Sequence, residues 1–158
     1  MPLKIREAIP KDSQTIFDFI MELAIYEKLP NAVKTTVKEI KDSIFALNST
    51  VKALICEEDG KAIGYAVYFY NYSTWLGKNG IYLEDLYVNE SKRGKGAGKA
   101  MIKYLAKKAI SEKCGRFEWA CLDWNTPSRD FYESLGAVAL NEWIGYRLEG
   151  ETLEKFAN

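Results

Sequence analysis

The sequence contains no histidine. That absence removes the Ser-His and Cys-His catalytic pairs and the commonest zinc ligand at once. Any acid–base chemistry therefore falls to Glu, Asp, Tyr, Lys or Cys. Cysteine is scarce as well: Cys56, Cys114 and Cys121 are odd in number, and no pair has metal-ligand spacing. Such a count points neither to a disulfide framework nor to a metal site, and a reduced, cytoplasmic setting is the expectation. Net charge is also missing, with 22 Lys plus Arg against 22 Asp plus Glu. A polyanionic partner is not expected, and neither is nucleic-acid binding. The opening residues MPLKIREAIPKDS hold no apolar signal core. No run approaches the ~18 apolar residues of a membrane span, so no membrane association is expected.

What the 158 residues do contain is enough apolar material for a single folded domain over 1–158: 47% are hydrophobic and 28% charged. No repeat, linker or composition break divides them. PLKIREA reads as a short strand. Asp12 or Ser13 can cap a helix that carries Ile16, Phe19, Ile20, Leu23 and Ala24 on one face. A second, weaker helix is predicted over 37–47. VKALICEE and AIGYAVYFYNY, joined by DGK, read as a hairpin. GIYLEDLYV is another strand, and apolar spacing through Ala97, Ala100, Met101, Tyr104 and Leu105 predicts a helix to about residue 112. RFEWACLDW reads as a strand, and NTPSRDFYESLG as a helix capped by Thr126, begun by Pro127 and ended by Gly136. A last strand over 143–148 and a short terminal helix complete a mixed α/β order.

Two stretches carry chemistry. Strand IYLEDLYV places two adjacent carboxylates, Glu84 and Asp85, among apolar residues, and burying a carboxylate without purpose is costly. In a regular strand neighbouring side chains point to opposite faces, so both acids reach one site only across a bulge. One of them pairing with a structural Arg or Lys is the alternative, and for Asp85 it stays open. The loop RGKGAGK follows, Arg93, Gly94, Lys95, Gly96, Ala97, Gly98 and Lys99, between a strand and a helix. Alternate glycines expose backbone amides that suit a phosphate at a helix N-terminus, though a plain glycine-rich turn has the same composition. No G-K-[ST] ending is present, which disfavours a nucleotide triphosphatase. In the second stretch, LDWNTPSRDFYESLGA, Asn125 and Ser128 flank a helix start and Tyr132 follows one turn later. Each has a structural reading, as a turn residue or a core aromatic.

RGKGAG matches the Q/R-x-x-G-x-G/A signature of the GNAT superfamily of N-acetyltransferases, and N-x-x-S-x-x-x-Y over 125–132 is similar to its second acetyl-CoA segment. With MELAIYEKL, YSTWLGKNGIYLEDLYV and YESLGA, the chain resembles the diamine acetyltransferase branch from about residue 5 to 147. The resemblance implies a central mixed sheet splayed between its fourth and fifth strands, flanked by helices, and a homodimer. It implies acetyl-CoA as cosubstrate and no metal, with pantetheine on the backbone of Leu86, Tyr87 and Val88. Pyrophosphate would lie on the 93–99 loop, helped by Asn125 and Ser128. Glu84 would take a proton from the ammonium and Tyr132 would give one to the departing thiolate, in direct transfer without an acyl-enzyme.

Tyr26, Glu27 and Trp75, with Glu84 and Asp85, match the positions that line the amine site in that branch. Aromatic faces and carboxylates suit a cation, although Tyr26 also ends a helix and Trp75 marks a hairpin end. Ser73 and Ile144 stand where the polyamine enzymes carry acids. YSTW and LDWN are instead similar to the thialysine N-ε-acetyltransferase subgroup. The expected acceptor is thus the terminal amine of a small diamino acid, with polyamines second. A protein acetyltransferase and a non-catalytic acetyl-CoA-binding module are the rival readings.

Overall fold

The computed structural model describes residues 2–158. They fall into two compact units, one ending at Ala120 and one spanning Cys121–Asn158. The first holds a five-stranded sheet in the order β1 (Leu3–Glu7), β2 (Val51–Glu58), β3 (Lys61–Ser73), β4 (Lys78–Val88) and β5 (Arg116–Trp119). The first three pairings are antiparallel and β4·β5 is parallel. Asp59 and Gly60 turn β2 into β3 with φ of 52° and 75°. Two successive positive φ values are what a two-residue hairpin loop needs for its twist to match the strands.

Helices cover both faces. α1 (Ser13–Tyr26) and α2 (Val37–Ile44) lie on one, where Ile16, Phe19 and Ile44 pack on Ile55, Tyr65 and Tyr87. Phe19 stacks on Tyr65 with ring centroids 5.5 Å apart. α3 (Ala97–Ser111) packs on β1, β3 and β4 through a stripe that includes the buried Met101 and Leu105. Asp12 precedes α1, but its carboxylate does not cap that helix. It accepts from the Ile9 amide at 2.7 Å and takes a two-pronged bond from Arg6 at 2.8 and 2.9 Å. The guanidinium holds the Asp12 carboxyl below its usual range.

β5 is shorter than the sequence pattern implies, because its pairing with β4 stops at Leu83↔Trp119. On the other side of β4 the register also breaks at that point. Val67 opposes Asp85 and Tyr68 opposes Leu83, leaving Glu84 as an extra residue. That β-bulge bends β4 away from β5, and residues 85–88 keep β3 alone as a ladder partner among the described residues.

The second unit contains α4 (Thr126–Ser134) and α5 (Gly150–Ala157). Asn125, rather than Thr126, is the N-cap of α4, its side chain accepting from the Ser128 amide at 3.3 Å. Gly136, at φ 94°, ends the helix as the sequence predicts. The strand predicted over 143–148 does not form. A strand needs a neighbour for its amides, and among the described residues of this unit there is none.

Candidate active site

The bulge decides where the two acids of β4 point. Val67 and Asp85 pair on the α1 face, and Phe69 and Tyr82 pair there too, their rings 5.1 Å apart. Between Tyr82 and Asp85 lie two residues, so an unbroken strand would turn Asp85 to the opposite face. The extra residue corrects the parity, and Glu84, two along from Tyr82, falls on the same side. Glu84 is exposed and close enough to Tyr82 that its charge adds to the burial that raises the Tyr82 phenol. Asp85 is half-buried and accepts a 2.7 Å hydrogen bond from the Tyr65 hydroxyl.

α1 brings the remaining groups. It ends with the Lys28 amide on the Ile25 carbonyl and the Leu29 amide on the Ala24 carbonyl, while Lys28 takes φ 64°. This double closure fixes Glu27 at the last turn without the glycine that usually provides it. Burial, with Asp85 adding to it, raises the Glu27 carboxyl. Burial likewise raises Asp85, and the Tyr65 bond pulls it partly back. Two acids that both resist ionisation beside each other make a place for a cation. Tyr26, one residue before Glu27, lies under the Arg93 guanidinium at 4.8 Å, and Tyr87 lies at 5.2 Å from it. An open hollow of about 460 Å³ adjoins them, lined by Glu22, Tyr87, Asn89, Glu90 and Ser91.

The glycine loop meets the requirements of an anion cradle. Gly94 and Gly96 take φ of 80° and 89°, while a Cβ at either would meet nothing within 4 Å. Conformation, not lack of room, demands glycine there. α3 starts at Ala97 with no side-chain cap, which leaves the amides of Ala97, Gly98 and Lys99 without intrahelical acceptors. Lys95 and Lys99 flank those amides in sequence. Arg93 turns inward: its Nε donates to the Val88 carbonyl at 2.9 Å, besides the two ring contacts. On its side away from β3, the stretch Leu86, Tyr87 and Val88 carries the ladder edge that β5 has left. A bent strand with an open edge, leading into an uncapped helix, fits an extended thioester cosubstrate with a diphosphate.

One predicted residue stands apart. Trp75 is 82% exposed in the β3–β4 turn. Seven strand steps, roughly 24 Å, separate Lys78 at that turn from Asp85, so within one chain Trp75 does not join Tyr26 and Glu27. In the second unit Asn125 is buried and spends its carbonyl on the Ser128 amide, a capping role the sequence pattern also allowed. Tyr132 is half-buried on α4 beside Phe131. Cys56 is fully buried and its thiol is pushed up to about 11 by desolvation, which makes it a poor nucleophile. Among the described residues no cluster of acids and cysteines has the form of a metal site, and no helix is long and apolar enough to cross a membrane. Sequence reasoning missed Tyr65, which looks like any core aromatic until the bulge sets its partner.

A mixed sheet split beside a glycine-turned helix start is the arrangement of an N-acetyltransferase of the GNAT type. The chain belongs to the acetyltransferase (GNAT) family, whose pattern matches residues 18–137. It is 39% identical over 164 residues to thialysine N-epsilon-acetyltransferase of Sus scrofa, covering 97% of this chain and 96% of that protein. L-ornithine N5-acetyltransferase NATA1 of Arabidopsis thaliana is 41% identical over 91 residues, 58% of this chain and 40% of its own length. Among solved structures, the integron cassette protein VCH_CASS6 from the mobile metagenome of V. cholerae superposes with a TM-score of 0.84 at 28% identity, covering 99% of this chain and 98% of that one.

Proposed function

We propose that this protein transfers acetyl from acetyl-CoA to the terminal primary amine of a small diamino acid of the thialysine, lysine or ornithine kind. The observation that carries the reading is the bulge at Glu84, which sets two acids on one face of the strand whose edge is open to the cosubstrate. Relatives named for thialysine and ornithine support the acceptor class.

A primary amine arrives mostly as ammonium, with a pKa near 10.4 for a lysine side chain, and only the neutral form attacks a thioester. In this reading Tyr26, Glu27 and Asp85 attract the cation, and Glu84 takes one proton directly or through water. Acetyl-CoA supplies the activated acyl group. The amine nitrogen bonds to the carbonyl carbon while backbone N–H groups near Leu86 steady the oxygen. Collapse breaks the C–S bond as the nitrogen releases its second proton to solvent, and Tyr132 gives the leaving sulfur a proton that the phenolate recovers from water. That role rests on the likeness of 125–132 to the family segment, as do the cofactor roles of Asn125 and Ser128. Trp75 contributes to an amine site only from another copy. The buried Cys56 thiol is no candidate for an acyl-enzyme.

The reading includes a homodimer and a cytoplasmic setting. Exposed Tyr72, Trp75 and Leu76 at the hairpin end support the first, as does a second unit with no buried apolar side chain. Free cysteines and the lack of a membrane-spanning helix among the described residues are compatible with the second.

The test is release of CoA thiol on adding lysine or ornithine, with the acetyl group located on the terminal nitrogen by mass spectrometry. Glu84→Gln should lower kcat/KM for the amine by roughly 10²-fold or more and make the acid limb of its pH profile less steep, since one of two carboxylates is removed. Unchanged rate and profile would remove Glu84 as the base.

A further inference from the structure

The sheet buries two tyrosines completely, Tyr65 and Tyr68, on opposite faces of β3. Each donates its hydroxyl to a carboxylate: Tyr65 to Asp85 at 2.7 Å, and Tyr68 to Glu7 at 2.8 Å. The pair differ in where the carboxylate lies. Glu7 ends the edge strand β1, whereas Asp85 sits at the bulge beside the amine-facing acids.

We propose that Tyr65 is a positioning residue of the amine site, acting through Asp85 to hold one carboxylate oxygen so that the other is presented to the substrate ammonium. This rests on the reading of the bulge as the amine site. Tyr65 cannot swing away: its ring is stacked on Phe19 and has no solvent exposure. Its hydroxyl is therefore a fixed donor, and it orients an acid that desolvation would otherwise drive toward its neutral, non-binding form. The groups around Asp85 are mostly acidic or phenolic. Glu27 approaches from the end of α1, Tyr65 from β3, and Glu84 and Tyr87 from β4, with Glu22 on α1 accepting from Tyr87. The Arg93 guanidinium is engaged by the rings of Tyr26 and Tyr87 and by the Val88 carbonyl. Tyr65 is thus the hydroxyl donor that helps keep Asp85 ionised until an amine arrives.

Steady-state kinetics of Tyr65→Phe and Tyr68→Phe, with lysine or ornithine as acceptor, test this. Tyr65→Phe is expected to raise the amine KM about tenfold. It should leave the acetyl-CoA KM within about twofold and move the acid limb of kcat/KM for the amine to higher pH. The sign follows from the chemistry: the bond stabilises the carboxylate, so its loss raises the Asp85 pKa. Tyr68→Phe, which removes the same kind of bond on the other face, should move neither quantity. An unchanged amine KM and acid limb in Tyr65→Phe, or equal changes in both variants, overturns the proposal. Should Tyr65→Phe fail to fold, the wild-type chain carrying ring-labelled tyrosine supplies the answer by NMR. The Tyr65 resonance must shift in the acid range as Asp85 titrates, and a resonance indifferent to acid overturns the link. A wild-type protein that transfers no acetyl to any amine defeats the functional reading instead, while that titration still decides the Tyr65–Asp85 bond.

Discussion

At the scale of single residues, Asp85 is in tension between fold and function. Burial raises its carboxyl above the ordinary value, so its ionised form weakens the folded state at neutral pH. A group with a raised folded pKa costs stability above that pKa, and the cost vanishes as pH falls below the unfolded value. Asp85→Asn keeps an acceptor for Tyr65 and removes the charge. Thermal melts should show the variant more stable than wild type near pH 7, the gain disappearing toward pH 3, while the amine KM rises at least tenfold. A variant that is less stable at pH 7 and equally fast at low amine would contradict both halves. The residue scale is also where the sequence was least legible. Adjacent acids in an apolar strand announce that something unusual happens there, but only the register against β3 shows that both face one side.

At the scale of elements, the devices that place the site are a bulge, a helix end and a glycine turn. Hydrophobic spacing predicted α1 and α3 closely, because each buries one stripe against a sheet. Gly94 and Gly96 were legible because their positive φ is a local demand. Lys28 was not, since a lysine in the left-handed region leaves no compositional mark. Trp143 and its neighbours looked like a strand by composition, yet a strand is a property of its partner as much as of itself. Asp12 similarly resembled a helix cap, but Arg6 and the Ile9 amide take its oxygens. That bond ties β1 to the start of α1, and its two side chains are 27% and 12% exposed. Asp12→Ala should cost about 1–3 kcal/mol in a urea melt at pH 7. The depressed Asp12 carboxyl adds stability that is present above the unfolded pKa near 3.9 and lost as pH falls through the folded value. The gap between wild type and variant should therefore close in strong acid. A gap that is constant with pH would mean that the ion pair contributes nothing.

At the scale of the whole molecule, composition narrowed the possibilities early. With no histidine, proton transfer had to be sought among Glu, Asp, Tyr, Lys and Cys, and the bulge in β4 turns Glu84 and Asp85 to one face. The split sheet was legible only through the family likeness of two short segments, because strand order depends on long-range pairing that no window of sequence contains. The second unit carries exposed Val138, Leu140, Trp143, Ile144 and Phe156, more apolar surface than 38 residues can cover by themselves. Sedimentation velocity should find a dimer at micromolar concentration, and Trp143→Glu with Ile144→Glu should shift it toward monomer. A wild-type monomer at that concentration would contradict the homodimer.

In the proposed reaction the bulged strand serves a small diamino acid rather than a long polyamine. Ser73 and Ile144 supply no additional acids for the distant charges of a polyamine, and the paired acids Glu27 and Asp85 suit one terminal ammonium. The most direct measurement is kcat/KM for thialysine, lysine, ornithine, putrescine and spermidine under one set of conditions. The diamino acids should lead and spermidine should trail. A preference for spermidine of about tenfold or more, equivalent to about 1.4 kcal/mol in transition-state binding, would contradict it.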